Sequence, residues 1–115
     1  LPFRSPKDHL QDILQAVDLI EQFVEGLDFA AFQKSPMVKA AVEREFSILS
    51  EAAYRLGDEA ETMSPGPDWT GLRGMGNILR HAYHRTNDAV IWTAIEDDLP
   101  ILKASVTKAL QARQD

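Results

Sequence analysis

The residues best suited to chemistry in this chain lie close together. Residues 73–85 read RGMGNILRHAYHR, and no carboxylate occurs from Trp69 to Asn87. The stretch holds Arg73, Arg80 and Arg85 together with His81 and His84, two of the chain's 3 histidines. An imidazole titrates near neutrality, so it can take a proton from a hydroxyl or return one to a leaving oxygen. A guanidinium beside it can grip a phosphate in two places and stabilise charge developing on its oxygens. Asn77 can donate to the same phosphate or orient the histidine. Together these groups suit metal-free cleavage of an RNA phosphodiester. A metal centre is not expected, because His81 and His84 at i, i+3 have no acidic third ligand nearby.

These side chains can act together only if one element presents them on one side. On a helix each residue advances by about 100°. With Arg73 at the origin, Arg80, His84, Asn77 and His81 fall within roughly 80° of it, while Leu72, Met75, Ile78, Leu79 and Ala82 fall opposite. Tyr83 falls toward the apolar side, as a packed tyrosine would. Gly74 and Gly76 lie at the borders between the faces. Each interior glycine costs about 1 kcal/mol relative to alanine, so the pair implies close approach of a neighbouring helix or a ligand phosphate. The same pattern also fits a merely solvated face, with His81 a structural histidine. Trp69 and Trp92 read as core anchors, and His9, alone on the first helix, has no chemical partner in the sequence.

The rest of the chain is a scaffold of helices. Leu10, Ile13, Leu14, Val17, Ile20, Phe23, Val24 and Leu27 repeat at helical spacing, and Ser5-Pro6 opens that helix over about 6–25. A short turn over 28–33 tucks Phe29 and Phe32 under the core. Ser35-Pro36 starts a second helix, about 36–56, with Val38, Ala41, Val42, Leu49, Ala52, Ala53 and Leu56 inward and Gly57 as its stop. After the loop Ser64-Pro65-Gly66-Pro67, Asp68 caps a third helix, about 69–84. Thr86-Asn87-Asp88 is expected to break the chain, a fourth helix to begin near 88, and Pro100 to kink or split it. No period-2 pattern is present. The fold expected is all-α, an antiparallel up-and-down four-helix bundle forming one domain over 1–115.

Composition narrows the function further. The net charge of −6 argues against broad coating of nucleic acid but allows a local basic site. The chain has 0 cysteines, which excludes disulfides and thiolate chemistry. It contains no apolar run of membrane-spanning length, so no membrane association and a cytoplasmic location are expected.

Several spaced blocks together resemble a known family. VEREFSILSEAAYRL (42–56), Pro67 and Trp69, GNILRHAY (76–83) and DAVIWTAIEDDLPIL (88–102) are similar, in that order, to the HepT-like branch of the HEPN helical ribonucleases. The family motif is Arg, four residues, His, one residue, Tyr, with Asn usually after the Arg. Asn77, His81 and Tyr83 match it, and Gly76 stands where the Arg belongs. The resemblance implies an RNA endonuclease needing no cofactor, the toxin of a toxin–antitoxin pair. It implies a homodimer whose two motifs meet across a cleft. It also implies a cognate nucleotidyltransferase antitoxin, which attaches AMP to the motif tyrosine, here Tyr83. On that reading His81 is the general acid/base, Arg73 or Arg80 replaces the motif Arg, and Asn77 positions the reacting groups. His84 and Arg85 are further substrate contacts. A second reading is a catalytically inactive dimer that only binds a nucleotidyltransferase or a nucleotide.

Overall fold

Several helix starts in this chain are set by small polar side chains that satisfy the orphan amides of the first turn. The computed structural model describes residues 4–80 and 85–113, with residues 85–87 described by backbone alone. Helix α1 (Pro6–Val24) opens on a reciprocal capping box: the Asp8 amide donates to Ser5 Oγ at 3.3 Å and the Ser5 amide to Asp8 Oδ2 at 3.0 Å. The bond from the Ser5 amide holds the Asp8 carboxyl below its ordinary range. Helix α2 (Phe29–Gln33) is capped by Asp28, and α3 (Pro36–Leu56) by Ser35. α3 ends at Gly57, whose φ of 58° favours a residue without a side chain. These bounds follow the sequence reading closely.

A short α4 (Glu59–Met63) follows, which the periodicity does not reveal because a single turn carries too few apolar residues. Its one buried residue, Ala60, drops into the core. The loop after it is pinned from two sides. Trp69 Nε1 donates to the Ser64 carbonyl at 2.7 Å, and Ser105 Oγ donates to the Pro65 carbonyl at 2.9 Å. Because Ser105 has one hydroxyl proton, the 2.6 Å contact between the Ser64 and Ser105 hydroxyls has Ser64 as donor. Asp68 then caps α5 (Trp69–Arg80) through the Gly71 amide at 3.1 Å.

The last rod is α6 (Arg85–Thr93), a π-helical turn over Ala94–Asp98, and α7 (Leu99–Ala112). Pro100 has no N–H to return to the preceding turn, and the Leu99 amide reaches back five residues to the Ala94 carbonyl. This is the split anticipated near Pro100. The anticipated break at Thr86-Asn87-Asp88 is corrected: the backbone is helical from Arg85 onward. Asp88 is buried in the first turn of α6 and faces Lys39 Nζ of α3 at 3.3 Å, so it has a cationic partner inside the helix.

The rods form an all-helical bundle: α1 packs on α3 and α7, α3 packs on α5, and α2 lies beneath α3 and α6. One hydrophobic core runs through them, from Leu10, Ile13, Val17 and Ile20 to Val42, Phe46, Leu49, Trp69, Ile91, Leu102 and Val106. Trp92 packs at its edge with ring centroids 5.2 Å from Phe32 and 6.2 Å from Phe29. Such tilted aromatic pairs add about 1 kcal/mol each beyond burial. Among the described residues no helix is long and apolar enough to cross a membrane.

Candidate active site on α5

Helix α5 is fixed to α3 by one serine. Ser50, buried on the inner face of α3, donates to the Arg73 carbonyl at 2.9 Å and accepts from the Gly76 amide at 3.0 Å. The approach is so close that a Cβ added to Gly76 would stand 2.8 Å from Ser50 Oγ. Gly76 therefore has the helix-on-helix reason expected of it. Gly74 does not: a Cβ there would meet nothing within 4 Å. The sequence signal for Ser50 is a hydroxyl between Phe46 and Ala53, where helical spacing demands an apolar residue.

The two arginines of α5 diverge. Arg73 turns toward the C-terminal end of α3. There the Gly57 amide bonds Tyr54, three residues back, which leaves the Ala53 carbonyl without its helical partner. Arg73 Nε takes that carbonyl at 3.3 Å and Nη2 takes the Gly57 carbonyl at 2.6 Å. The same guanidinium forks onto Glu61, with Nη1–Oε2 at 2.9 Å and Nη2–Oε1 at 2.6 Å. Hydrogen bonding to Arg73 pulls the Glu61 carboxyl down and Glu61 pushes the arginine up. A cation at the negative end of a helix dipole is favourable as well.

Arg80 is exposed at the last described turn of α5, and its guanidinium lies back along the helix. Its Nη1 comes within 3.6 Å of the point where a Gly76 Cβ would stand. Asn77, three residues before Arg80, is exposed too. On the one polar face that a helical wheel draws, the guanidinium groups of Arg73 and Arg80 therefore reach different neighbours. His81, Tyr83 and His84 lie outside the described residues, as does the side chain of Arg85. Among the described residues no group of three or more His, Cys, Asp or Glu side chains could hold a metal ion.

On its other flank α5 borders an apolar groove of about 400 Å³, lined by Leu72, Met75, Ile78, Val90, Ala94 and Asp98 among others. Ile78 and Val90 are 36% and 42% exposed, which is high for side chains of their size beside a core. Burial pushes the Asp98 carboxyl up, and Asp68 and Asp97 add to this.

The described residues form an all-helical bundle in which α5 carries Arg73, Asn77 and Arg80. The ribonuclease HepT-like family pattern matches residues 13–109, and the chain belongs to that family. A protein of Thermococcus cleftensis named "Probable ribonuclease HepT" is 32% identical over 105 residues, covering 91% of this chain and 96% of that protein. A Caldanaerobacter subterraneus protein named as a "Putative RNase" is 31% identical over 108 residues, covering 94% of this chain and 96% of its own. A third relative, from Methanocaldococcus jannaschii and named in the same way, is 28% identical over 103 residues, covering 90% of this chain and 94% of that protein. No solved structure matches the chain significantly.

Proposed function

We propose that this chain is an RNA endonuclease that cleaves without a metal ion, with His81 as general acid/base and Arg80 as phosphate clamp. The observation that carries the choice of arginine is the Arg80 guanidinium lying against Gly76, the position that carries Arg in the family motif. Arg73 is committed elsewhere, with donors turned to Glu61 and to two carbonyls at the end of α3. Chemically, His81 takes the proton of the RNA 2′-hydroxyl as that oxygen attacks the adjacent phosphorus. The P–O5′ bond breaks, and a protonated imidazole returns a proton to the leaving oxygen. Arg80 stabilises the charge that gathers on the non-bridging oxygens, and Asn77, on the same turn, adds a neutral donor.

The family resemblance supports the wider setting: the toxin of a toxin–antitoxin pair acting as a homodimer, with His84 and Arg85 extending the RNA contact. Exposed Ile78 and Val90 beside the α5–α6 groove give a second copy an apolar surface to cover. The cognate nucleotidyltransferase antitoxin would silence the enzyme by attaching AMP to Tyr83. The purified protein is expected to cleave RNA in EDTA, and His81→Ala to lose that activity while keeping its helical circular dichroism. Equal cleavage by both proteins would remove His81 from the mechanism. No cleavage by either favours the inactive binding partner, which the absence of a side chain at Gly76 also suits.

A further inference from the structure

A further groove lies on the α1–α3 seam, far from α5 in the sequence. It encloses about 620 Å³ and is lined by Arg4, His9 and Asp12 from the start of α1 and by Arg44, Ser47, Ile48, Glu51, Ala52 and Arg55 from α3. The α3 residues recur at i, i+3, i+4, i+7, i+8 and i+11, so they form one continuous stripe facing α1.

Its charges are unevenly matched. Arg4 pairs with Asp12 at 2.7 Å and Arg55 with Glu51 at 2.9 Å, which accounts for both carboxylates in the lining. Arg44 forms no ion pair or hydrogen bond among the described residues, nor does the imidazole of His9. Yet His9 is only 9% exposed. No buried side-chain nitrogen or oxygen among the described residues lacks a partner, so the ring nitrogens of His9 are open to the groove that the residue lines. In a chain of net charge −6, the cavity is a local excess of cation over a floor made by Ile48 and Ala52.

We propose that this cavity binds a small phosphate monoester with a compact apolar body. Arg44 forks onto the phosphate, His9 donates from below, the Ser47 hydroxyl adds a neutral donor, and the apolar body rests on Ile48 and Ala52. The bound carboxylates stay neutralised by Arg4 and Arg55, so an anion entering beside Arg44 does not meet an unpaired negative charge.

The test is titration of the full chain with inorganic phosphate, phenyl phosphate and phenol, followed by NMR of the His9 imidazole and the Ile48 methyls. Both phosphates are expected to move these signals, with phenyl phosphate binding tighter and phenol not competing. Arg44→Gln, a change at an exposed and unpartnered side chain, is expected to weaken phenyl phosphate by about tenfold or more. His9→Gln is expected to weaken it less. The proposal is overturned if Arg44→Gln binds as well as the parent, if phenol binds as tightly as phenyl phosphate, or if the shifted signals lie only on α5. Absence of any shift at millimolar phosphate overturns it as well.

Discussion

Helix α5 carries two arginines, Arg73 and Arg80, about two turns apart, and they do opposite things. Arg73 is 20% exposed and tied to Glu61, Ala53 and Gly57, where it closes the end of α3. Arg80 is exposed and lies along its own helix over a glycine. The first guanidinium is part of the fold, and the second is the one proposed above as the phosphate clamp. Residue type and spacing look the same at both positions. What separates them is the neighbour that each side chain reaches.

The contrast can be broken by experiment. Arg80→Ala is expected to lower the rate of RNA cleavage by about 100-fold or more, the usual cost of losing one charge-stabilising donor. Its effect on stability should stay within about 0.5 kcal/mol, because the residue is exposed. Arg73→Ala should do the reverse. Urea denaturation is expected to show a loss of about 2 kcal/mol, with cleavage per folded molecule retained. If Arg73→Ala instead abolishes cleavage without shifting the urea midpoint, the two roles have been assigned the wrong way round.

The two glycines between these arginines extend the comparison. Gly76→Ala is expected to destabilise by about 1 kcal/mol, because Ser50 Oγ must give way while it holds two hydrogen bonds. In a Ser50→Ala background the new methyl would face Cβ at 3.5 Å and Arg80 Nη1 at 3.6 Å, both ordinary contacts, and the penalty should disappear. Gly74→Ala should stabilise by roughly 0.5–1 kcal/mol, since nothing lies in its way. A thermal-melt double-mutant cycle over these three positions reads all of this directly.

The smallest effect is one of pH. The Glu61 carboxyl titrates lower in the folded chain than its ordinary 4.5, chiefly through its bonds to Arg73. Its contribution to stability is therefore complete above that value and fades as pH falls through the lowered one. Glu61→Gln should flatten this part of the acid limb of a stability curve. An unchanged limb would mean that the Arg73–Glu61 fork is not maintained in solution.

Much of this architecture is written locally. Ser5-Pro6, Ser35-Pro36, Gly57 and Asp68 mark helix ends by capping chemistry that depends only on near neighbours in the chain, and the observed bounds fall where they indicate. Thr86-Asn87-Asp88 misleads for the same reason. Polar residues suggest a break when read locally, whereas Asp88 is buried against Lys39, a partner far away in sequence.

By itself the sequence determined an all-helical chain, the gathering of His and Arg between residues 73 and 85, and the absence of the motif arginine at Gly76. Periodicity and composition, properties of the chain alone, suffice for the first two, and the third follows from the resemblance to the family motif. Only the tertiary structure decided that Arg73 closes α3, that Ser50 occupies the space beside Gly76, and that His9 lines a cavity with Arg44. A helical wheel gives the direction of each side chain but not what stands in that direction. On α5 and α1, what stands there is another helix.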